Sequence, residues 1–299
     1  MQIAVTGSSG LIGSVLVPFL AAGGHRVVRM VRSPKVGSDA ILWDPGAGIQ
    51  DPARLEGFDV VVHLAGENLV QGRWTPEKKQ RIRDSRITGT RLLSQALAGL
   101  REPPKVLICA SAIGYYGHRG DEVLTETSPP GSGFLAEVCQ AWEAAAESAR
   151  QRGIRVVSLR TGVVLSAAGG ALAFMRTPFQ LGVGGPLGSG QQYMSWIALD
   201  DLLGLIHHAL LIDRVRGPLN TVAPNPVTNM EFTKTLGHVL RRPTVFPVPP
   251  FALRLLMGEV ADEVLLTSTR AMPTQALQTQ YTFRYPHLEE ALRHVLGRP

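Results

Sequence analysis

The stretch TGSSGLIG, Thr6 to Gly13, stands between the apolar run Ile3–Thr6 and a helical pattern that continues to about Ala22. Few features constrain a fold more. Gly7, Gly10 and Gly13 set the spacing G-x-x-G-x-x-G at a strand-to-helix turn. The first glycine permits the tight turn, the second lets backbone approach a diphosphate, and the third lets the helix pack close to the strand. A phosphate is then held by N–H groups at the helix N-terminus, where the dipole favours negative charge. The loop therefore predicts a dinucleotide cradle, with Gly7, Ser9, Gly10, Leu11, Ile12 and Gly13 along the cofactor.

The rest of the first half repeats the rhythm such a loop requires. Apolar runs at Arg26–Val31, Ala40–Trp43, Asp59–Ala65, Lys105–Ala110 and Arg155–Arg160 alternate with helical segments at Thr75–Leu100 and Phe134–Arg152. Thr75–Pro76 reads as a helix cap followed by proline at the first helical position. Strands separated by helices of this length predict βαβ units and a parallel sheet covered on both faces. The fold class expected is α/β: a Rossmann-type, doubly wound parallel sheet with a smaller C-terminal α+β lobe. Residues 1–166 are assigned to the cofactor-binding core and 167–299 to the substrate-side lobe, with a crossover strand returning to the sheet near 219–222. A helix is expected to start near Thr228, another to cover YPHLEEALRHVL, and Asp200 or Asp201 to cap a helix at Leu202–Leu211.

Composition narrows the classes of function. Of 299 residues, 44% are hydrophobic and 18% charged, which fits a packed globular chain. The net charge of +6 comes from scattered rather than clustered basic residues, so it suits a polyanionic cofactor better than nucleic acid. Two cysteines, Cys109 and Cys139, do not make a disulfide scaffold. No leader pattern and no bilayer-length apolar run is present, so a cytoplasmic protein with no membrane partner is expected. The eight histidines show no metal-ligand spacing, and no metal is expected. Ser8, Ser9 and Ser111 lack a recognisable His–acid pairing, which argues against a hydrolase.

The end of the second strand reads MVRSPK, with Arg32, Ser33 and Lys35 where NAD binders place an acid for the ribose 2′-hydroxyl. A guanidinium and a hydroxyl suit a 2′-phosphate, so NADP(H) is expected over NAD(H).

Read in order, TGSSGLIG, DVVVHLAGEN, SRITGTRLLSQAL, VLICASAIGYYG, VVSLRTGVVL and MSWIALDDL resemble the successive landmarks of extended short-chain dehydrogenase/reductases of the sugar-nucleotide epimerase type. LAGEN, the helix FLAEVCQAWE and GGPLGSGQQYMSWI carry a closer resemblance to the atypical group called epimerase family proteins, sometimes labelled cell-division inhibitors. The resemblance runs end to end. It implies a Rossmann core and a nicotinamide cofactor, with Leu64, Ala65 and Gly66 lining that cofactor and Glu67 close by. It puts Arg86 where extended members carry an Asn, on the cofactor side or on a helix surface, and Val163 beside the nicotinamide. It also implies that partners, if any, pair as a homodimer through the two long helices.

The catalytic positions depart from that pattern. Extended members use a Ser and then Tyr-x-x-x-Lys on the following helix. Ser111 matches the Ser, but Leu135 stands at the Tyr position and Cys139 at the Lys position when Glu143 takes the Glu four residues further on. Leucine cannot transfer a proton, and a neutral thiol cannot lower a neighbour's pKa as an ammonium does. Tyr115, Tyr116, Glu67 and Glu137 are substitute acids. Ser111 is assigned to orient a substrate oxygen and Tyr116 to protonate it, with a buried structural Tyr116 as the other reading. Cys139 is a small apolar filler or a redox-sensitive thiol. Two functions follow: an NADP(H)-dependent oxidoreductase or nucleotide-sugar-epimerase-like enzyme for an unknown small carbonyl or sugar-like substrate, or a catalytically silent NADPH-binding regulatory or scaffold protein.

Overall fold

The computed structural model describes residues 1–33, 39–70 and 72–298. Its centre is an eight-stranded sheet. The first strands are β1 (Gln2–Thr6), β2 (Arg26–Val31), β3 (Ile41–Asp44), β4 (Gly48–Ile49), β5 (Val60–His63) and β6 (Val106–Ala112). Two further strands, Arg155–Thr161 and Gly217–Thr221, complete it beyond β6, so the order from one edge is Gly217–Thr221, Arg155–Thr161, β6, β5, β1, β2, β3, β4. All neighbours are parallel except β3 and β4. The expected Rossmann-type sheet is present, and the strand near 219–222 does return to it. Chain direction across the sheet reverses between β1 and β5, and a crevice opens at their C-terminal ends, where open α/β sheets bind ligands.

The central strands read as unbroken apolar runs because both faces are covered. Ile3 and Val5 pack into one core with Val60 and Val62, under the helices α1 (Gly13–Ala22) and Leu199–Leu211. Ala4 and Val61 point the other way, into a core shared with α2 (Pro76–Ala98) and the helix Glu147–Gln151. Successive residues serve opposite faces, as the period of two demands. A third core lies in the C-terminal part, where Trp196 and Phe232 are buried against the helix Leu288–Leu296.

The caps at Thr75 and Thr228 form as expected. Thr75 accepts the Lys78 N–H, and Thr228 makes a reciprocal capping box with Glu231. Two expectations change. The segment Phe134–Arg152 is two helices, α3 (Phe134–Ala144) and Glu147–Gln151, broken at Ala145–Ala146. Neither Asp200 nor Asp201 caps the helix Leu199–Leu211, whose N-cap is Ala198. Asp201 is instead fully buried, and its carboxylate accepts the N–H groups of Arg284 (2.8 Å) and Tyr285 (2.9 Å), fastening the C-terminal segment. Among the described residues no helix is long and apolar enough to cross a membrane, and no cluster of three His, Cys, Asp or Glu is placed to hold a metal.

Candidate functional site

Two cavities are relevant to the site. The first, of about 310 Å³, runs along the glycine loop and is lined by Gly7, Ser9, Gly10, Arg32, Ala65 and Gly66 among others. Close approach explains two of the glycines. Gly7 has φ +64°, and a Cβ there would lie 2.7 Å from the Leu64 carbonyl carbon. A Cβ on Gly13 would overlap the Gly7 carbonyl oxygen and lie 2.8 Å from Ser8 Cα. Gly10 is less constrained by the protein: the atom nearest to an added Cβ is the Gly7 oxygen at 3.3 Å, a close contact but short of the overlap at Gly7 and Gly13. Its openness toward the groove is what a diphosphate requires. No side chain caps the start of α1; the N–H groups of Ser14, Val15 and Leu16 go to the Gly10 and Ile12 carbonyls, which leaves those of Leu11, Ile12 and Gly13 without a partner among the described residues. These residues fit the cofactor that the loop predicts.

Thr6 holds the floor of this groove. Its hydroxyl accepts the N–H groups of Leu64 (3.2 Å) and Ala65 (3.3 Å), so its own proton goes to His63 Nδ1, 2.7 Å away. That fixes His63 as the neutral tautomer protonated on Nε2. His63 Nε2 has no hydrogen-bond partner among the described residues, and the ring meets Trp43 edge to face at 5.3 Å. Full burial pulls the His63 pKa down to about 4. Arg29, which the sequence reading passed over, donates to the Ser8 carbonyl at 2.9 Å and braces the loop from β2. Leu11 packs beside Gly169 and Gly170, and Ile12 against the core under α1. Arg32 and Ser33 are exposed at the end of β2, Arg32 on the groove wall; Lys35 lies outside the described residues. Glu67 lines the groove too, but its carboxylate is paired with Lys78 (2.7 Å) and Arg81 (3.8 Å), and the Lys78 hydrogen bond holds its pKa below the usual range.

The second cavity, of about 430 Å³, has walls from Ser111, Leu135, Cys139, Val163, Arg86 and His118, with mostly apolar side chains between them. Leu135 and Cys139 thus do face the site, in the places where the resemblance puts a tyrosine and a lysine. Burial pushes the Cys139 thiol up to about 12, with Glu143 adding to the rise, which suits the filler reading and not the redox one. Glu263 reaches across to the start of α3, where its carboxylate accepts the N–H groups of Phe134 (3.2 Å) and Leu135 (3.1 Å).

Ser111 belongs to a buried network. Its hydroxyl donates to Glu143 Oε1 at 2.7 Å. Arg160 grips the same carboxylate with two bonds, Nε to Oε1 at 2.8 Å and Nη2 to Oε2 at 2.9 Å. Arg160 also lies 3.4 Å from the Tyr115 ring centroid and donates to the Tyr116 hydroxyl at 3.1 Å. Tyr116 is fully buried and is not part of the cavity wall. Its hydroxyl lies 2.7 Å from Asn220 Oδ1 and 2.9 Å from the Thr125 carbonyl, and burial raises its pKa. The proton donor expected at Tyr116 is therefore committed to the interior, and the geometry gives it no path to a ligand. Glu137, another substitute acid, is exposed and paired with Arg83 at 3.1 Å. His118 was not singled out by any local pattern. It lines the cavity and accepts the Ser268 N–H on Nδ1 at 3.1 Å, which leaves Nε2 protonated.

The chain is similar to known proteins over nearly its full length. Residues 3–218 match the NAD dependent epimerase/dehydratase family, and residues 248–295 match a domain of unknown function, DUF1731. An epimerase family protein of Mycobacterium bovis is 46% identical over 297 residues, covering 99% of this chain and 98% of its own. The human epimerase family protein SDR39U1 is 37% identical over 304 residues, covering 99% and 100%. A crystal structure of that human protein (isoform 2) with NADPH superposes with a TM-score of 0.89 at 35% identity, covering 99% of both chains. A nucleoside-diphosphate sugar epimerase from Corynebacterium glutamicum gives a TM-score of 0.83 at 39% identity, covering 99% of this chain and 58% of the other. With the family's model matched over residues 3–218 and relatives 37–46% identical over nearly the full length, the chain belongs to the NAD-dependent epimerase/dehydratase family.

Proposed function

We propose that the chain is an NADP(H)-dependent oxidoreductase or epimerase-like enzyme acting on a small alcohol or carbonyl compound. The observation that carries the cofactor choice is Arg32 on the groove wall, with Ser33 beside it and no carboxylate at the end of β2. Gly7, Ser9, Gly10 and the start of α1 would hold the diphosphate. Leu11 and Ile12 would seat the loop, Leu64, Ala65 and Gly66 would line the cofactor beside it, and Val163 would stand on the nicotinamide side. NADPH in the human relative's structure supports the same reading.

The nicotinamide, when bound, supplies or accepts a hydride. The chain's own residues handle the proton. Because the Ser111 proton is held by Glu143, Ser111 Oγ meets a ligand as an acceptor. A substrate hydroxyl would donate to it, and as that proton arrives the serine's own proton passes to Glu143 Oε1. Arg160 positions Glu143 without touching the ligand. In the reverse direction the same two protons move back. The relay supplies what Leu135 and Cys139 cannot, and Tyr116 supports it through Arg160.

The test pairs binding with turnover. NADPH is expected to bind more tightly than NADH, and Arg32→Ala to weaken NADPH by roughly tenfold or more while sparing NADH, the loss of one charge-assisted bond. Oxidation of NADPH across a panel of small carbonyl compounds is expected, and Ser111→Ala is expected to lower kcat. Equal affinity for the two cofactors would remove the NADP(H) assignment. NADPH binding without turnover on any compound would favour the silent regulatory protein, a reading that Leu135 and Cys139 in the cavity wall keep in play.

A further inference from the structure

Arg86 combines three properties that seldom coexist. It is 8% exposed, yet none of its atoms forms an ion pair with a carboxylate among the described residues. Glu67, whose charge acts on it, is engaged by Lys78 and Arg81 instead. The guanidinium rests on neutral groups: Nη2 donates to the Glu67 carbonyl at 3.0 Å, Nη1 donates to the Ile82 carbonyl at 3.4 Å, and the Trp142 ring lies beneath at 5.0 Å. Gly66 lies against it: a Cβ there would sit 3.4 Å from the guanidinium carbon. A guanidinium has five N–H donors, and the two carbonyls leave three without a partner among the described residues. Burial lowers the Arg86 pKa, the direction expected when desolvation outweighs the favourable charges nearby.

Buried charges are normally paired, because taking an ion out of water without a counter-charge costs several kcal/mol. Arg86 lines the second cavity; the two carboxylates on that wall, Asp262 and Glu263, are engaged by Arg254 and by the Phe134 and Leu135 N–H groups, so the missing counter-ion has a place to enter. We propose that Arg86 is the receptor for an anionic group, a carboxylate or a phosphate, on the ligand that fills this cavity. The fork of a guanidinium matches two oxygens of such a group at once. With Ser111 as an acceptor on the same wall, the ligand would be a small anionic alcohol, or the corresponding keto compound. This rests on the reading of the cavity as the substrate site.

The same chemistry has a second source, the cofactor's own diphosphate, and the experiment separates the two. Benzoate and benzamide share a shape and differ in charge. Each is titrated into the NADPH-saturated protein and followed by ligand-observed NMR. Benzoate is expected to bind roughly tenfold more tightly than benzamide, and inorganic phosphate to compete with it. Arg86→Met is expected to abolish the preference and Arg86→Lys to retain part of it, with NADPH affinity in both within about threefold of the parent. Equal binding of benzoate and benzamide to the parent protein would overturn the proposal without needing a variant. A loss of NADPH affinity of roughly tenfold or more in Arg86→Met would overturn it too, by assigning the guanidinium to the cofactor. The NADPH-over-NADH preference of the same samples reports the cofactor assignment separately, so the two readings fail independently.

Discussion

Replacing Arg160 by Met should cost more than any other single change near the site, and the structure says why. The side chain is 4% exposed and its partner Glu143 13%. Removing the guanidinium takes away both bonds to the carboxylate, the bond to the Tyr116 hydroxyl and the cover over Tyr115. Glu143 is then left buried as an anion with the Ser111 hydroxyl as its remaining partner. Breaking a buried pair from one side typically costs about 3–5 kcal/mol, mostly the stranded charge. The stranded carboxyl escapes by taking up a proton, so its folded-state pKa rises above the unfolded value of about 4.3. A raised folded pKa contributes stability that is present at low pH and lost as pH rises through it. The variant's deficit is therefore largest near pH 8 and should shrink by about 1 kcal/mol or more near pH 5. Urea unfolding of parent and variant at the two pH values measures both quantities. The double variant Arg160→Met, Glu143→Leu removes the charge as well and should recover most of the loss, because an apolar pair of similar volume often replaces a buried ion pair at little cost. A deficit under about 1 kcal/mol at pH 8, or one independent of pH, would refute this account of the network.

Gly13→Ala drives a methyl into the Gly7 carbonyl, so NADPH binding should be lost before the fold is; cofactor titration alongside a circular-dichroism melt would show the order. His63, with a pKa depressed to about 4 by burial, stays neutral when the unfolded chain protonates. Its contribution is full above the unfolded value near 6.5 and is lost as pH falls toward 4, by roughly 3 kcal/mol in all. A His63→Leu variant compared with the parent across that window should show a flatter pH dependence of unfolding free energy; parallel curves would count against the assignment.

How far the chain could be read without coordinates depended on the range of the contacts involved. The glycine loop, the caps at Thr75 and Thr228 and the run VVVH are local signals. Sterics and hydrogen bonds within a few residues produce them, and burial on both faces writes β5 as a continuous apolar word. The strand Gly217–Thr221 was legible for a similar reason. Long-range partners were not. Asp201 looked like a cap because a cap is the commonest local use of an acid there, but its actual partners, Arg284 and Tyr285, lie more than 80 residues away. Arg160 looked like the end of a strand, and nothing beside it announces Glu143. Tyr116 was placed near the chemistry by its neighbours in sequence, whereas Asn220, brought in by the edge strand, draws its hydroxyl inward. The break in the helix after Ala144 falls in an alanine run with no glycine or proline to mark it.

The hold of Glu263 on α3 has a consequence for how such a chain can be divided. Family matching stops at residue 218 and resumes at 248, which invites treating the last segment as an accessory that evolution added and an experimenter could remove. The fold does not respect that line. The helix bearing Leu135 and Cys139 starts on a carboxylate from residue 263, and the short strand Arg270–Ala271 pairs with Val123–Leu124 from the other side of the break. Cut at the boundary, the front piece would lose the anchor of the helix that faces the ligand. The two matched segments are held together by these contacts, and the molecule they make should melt as one.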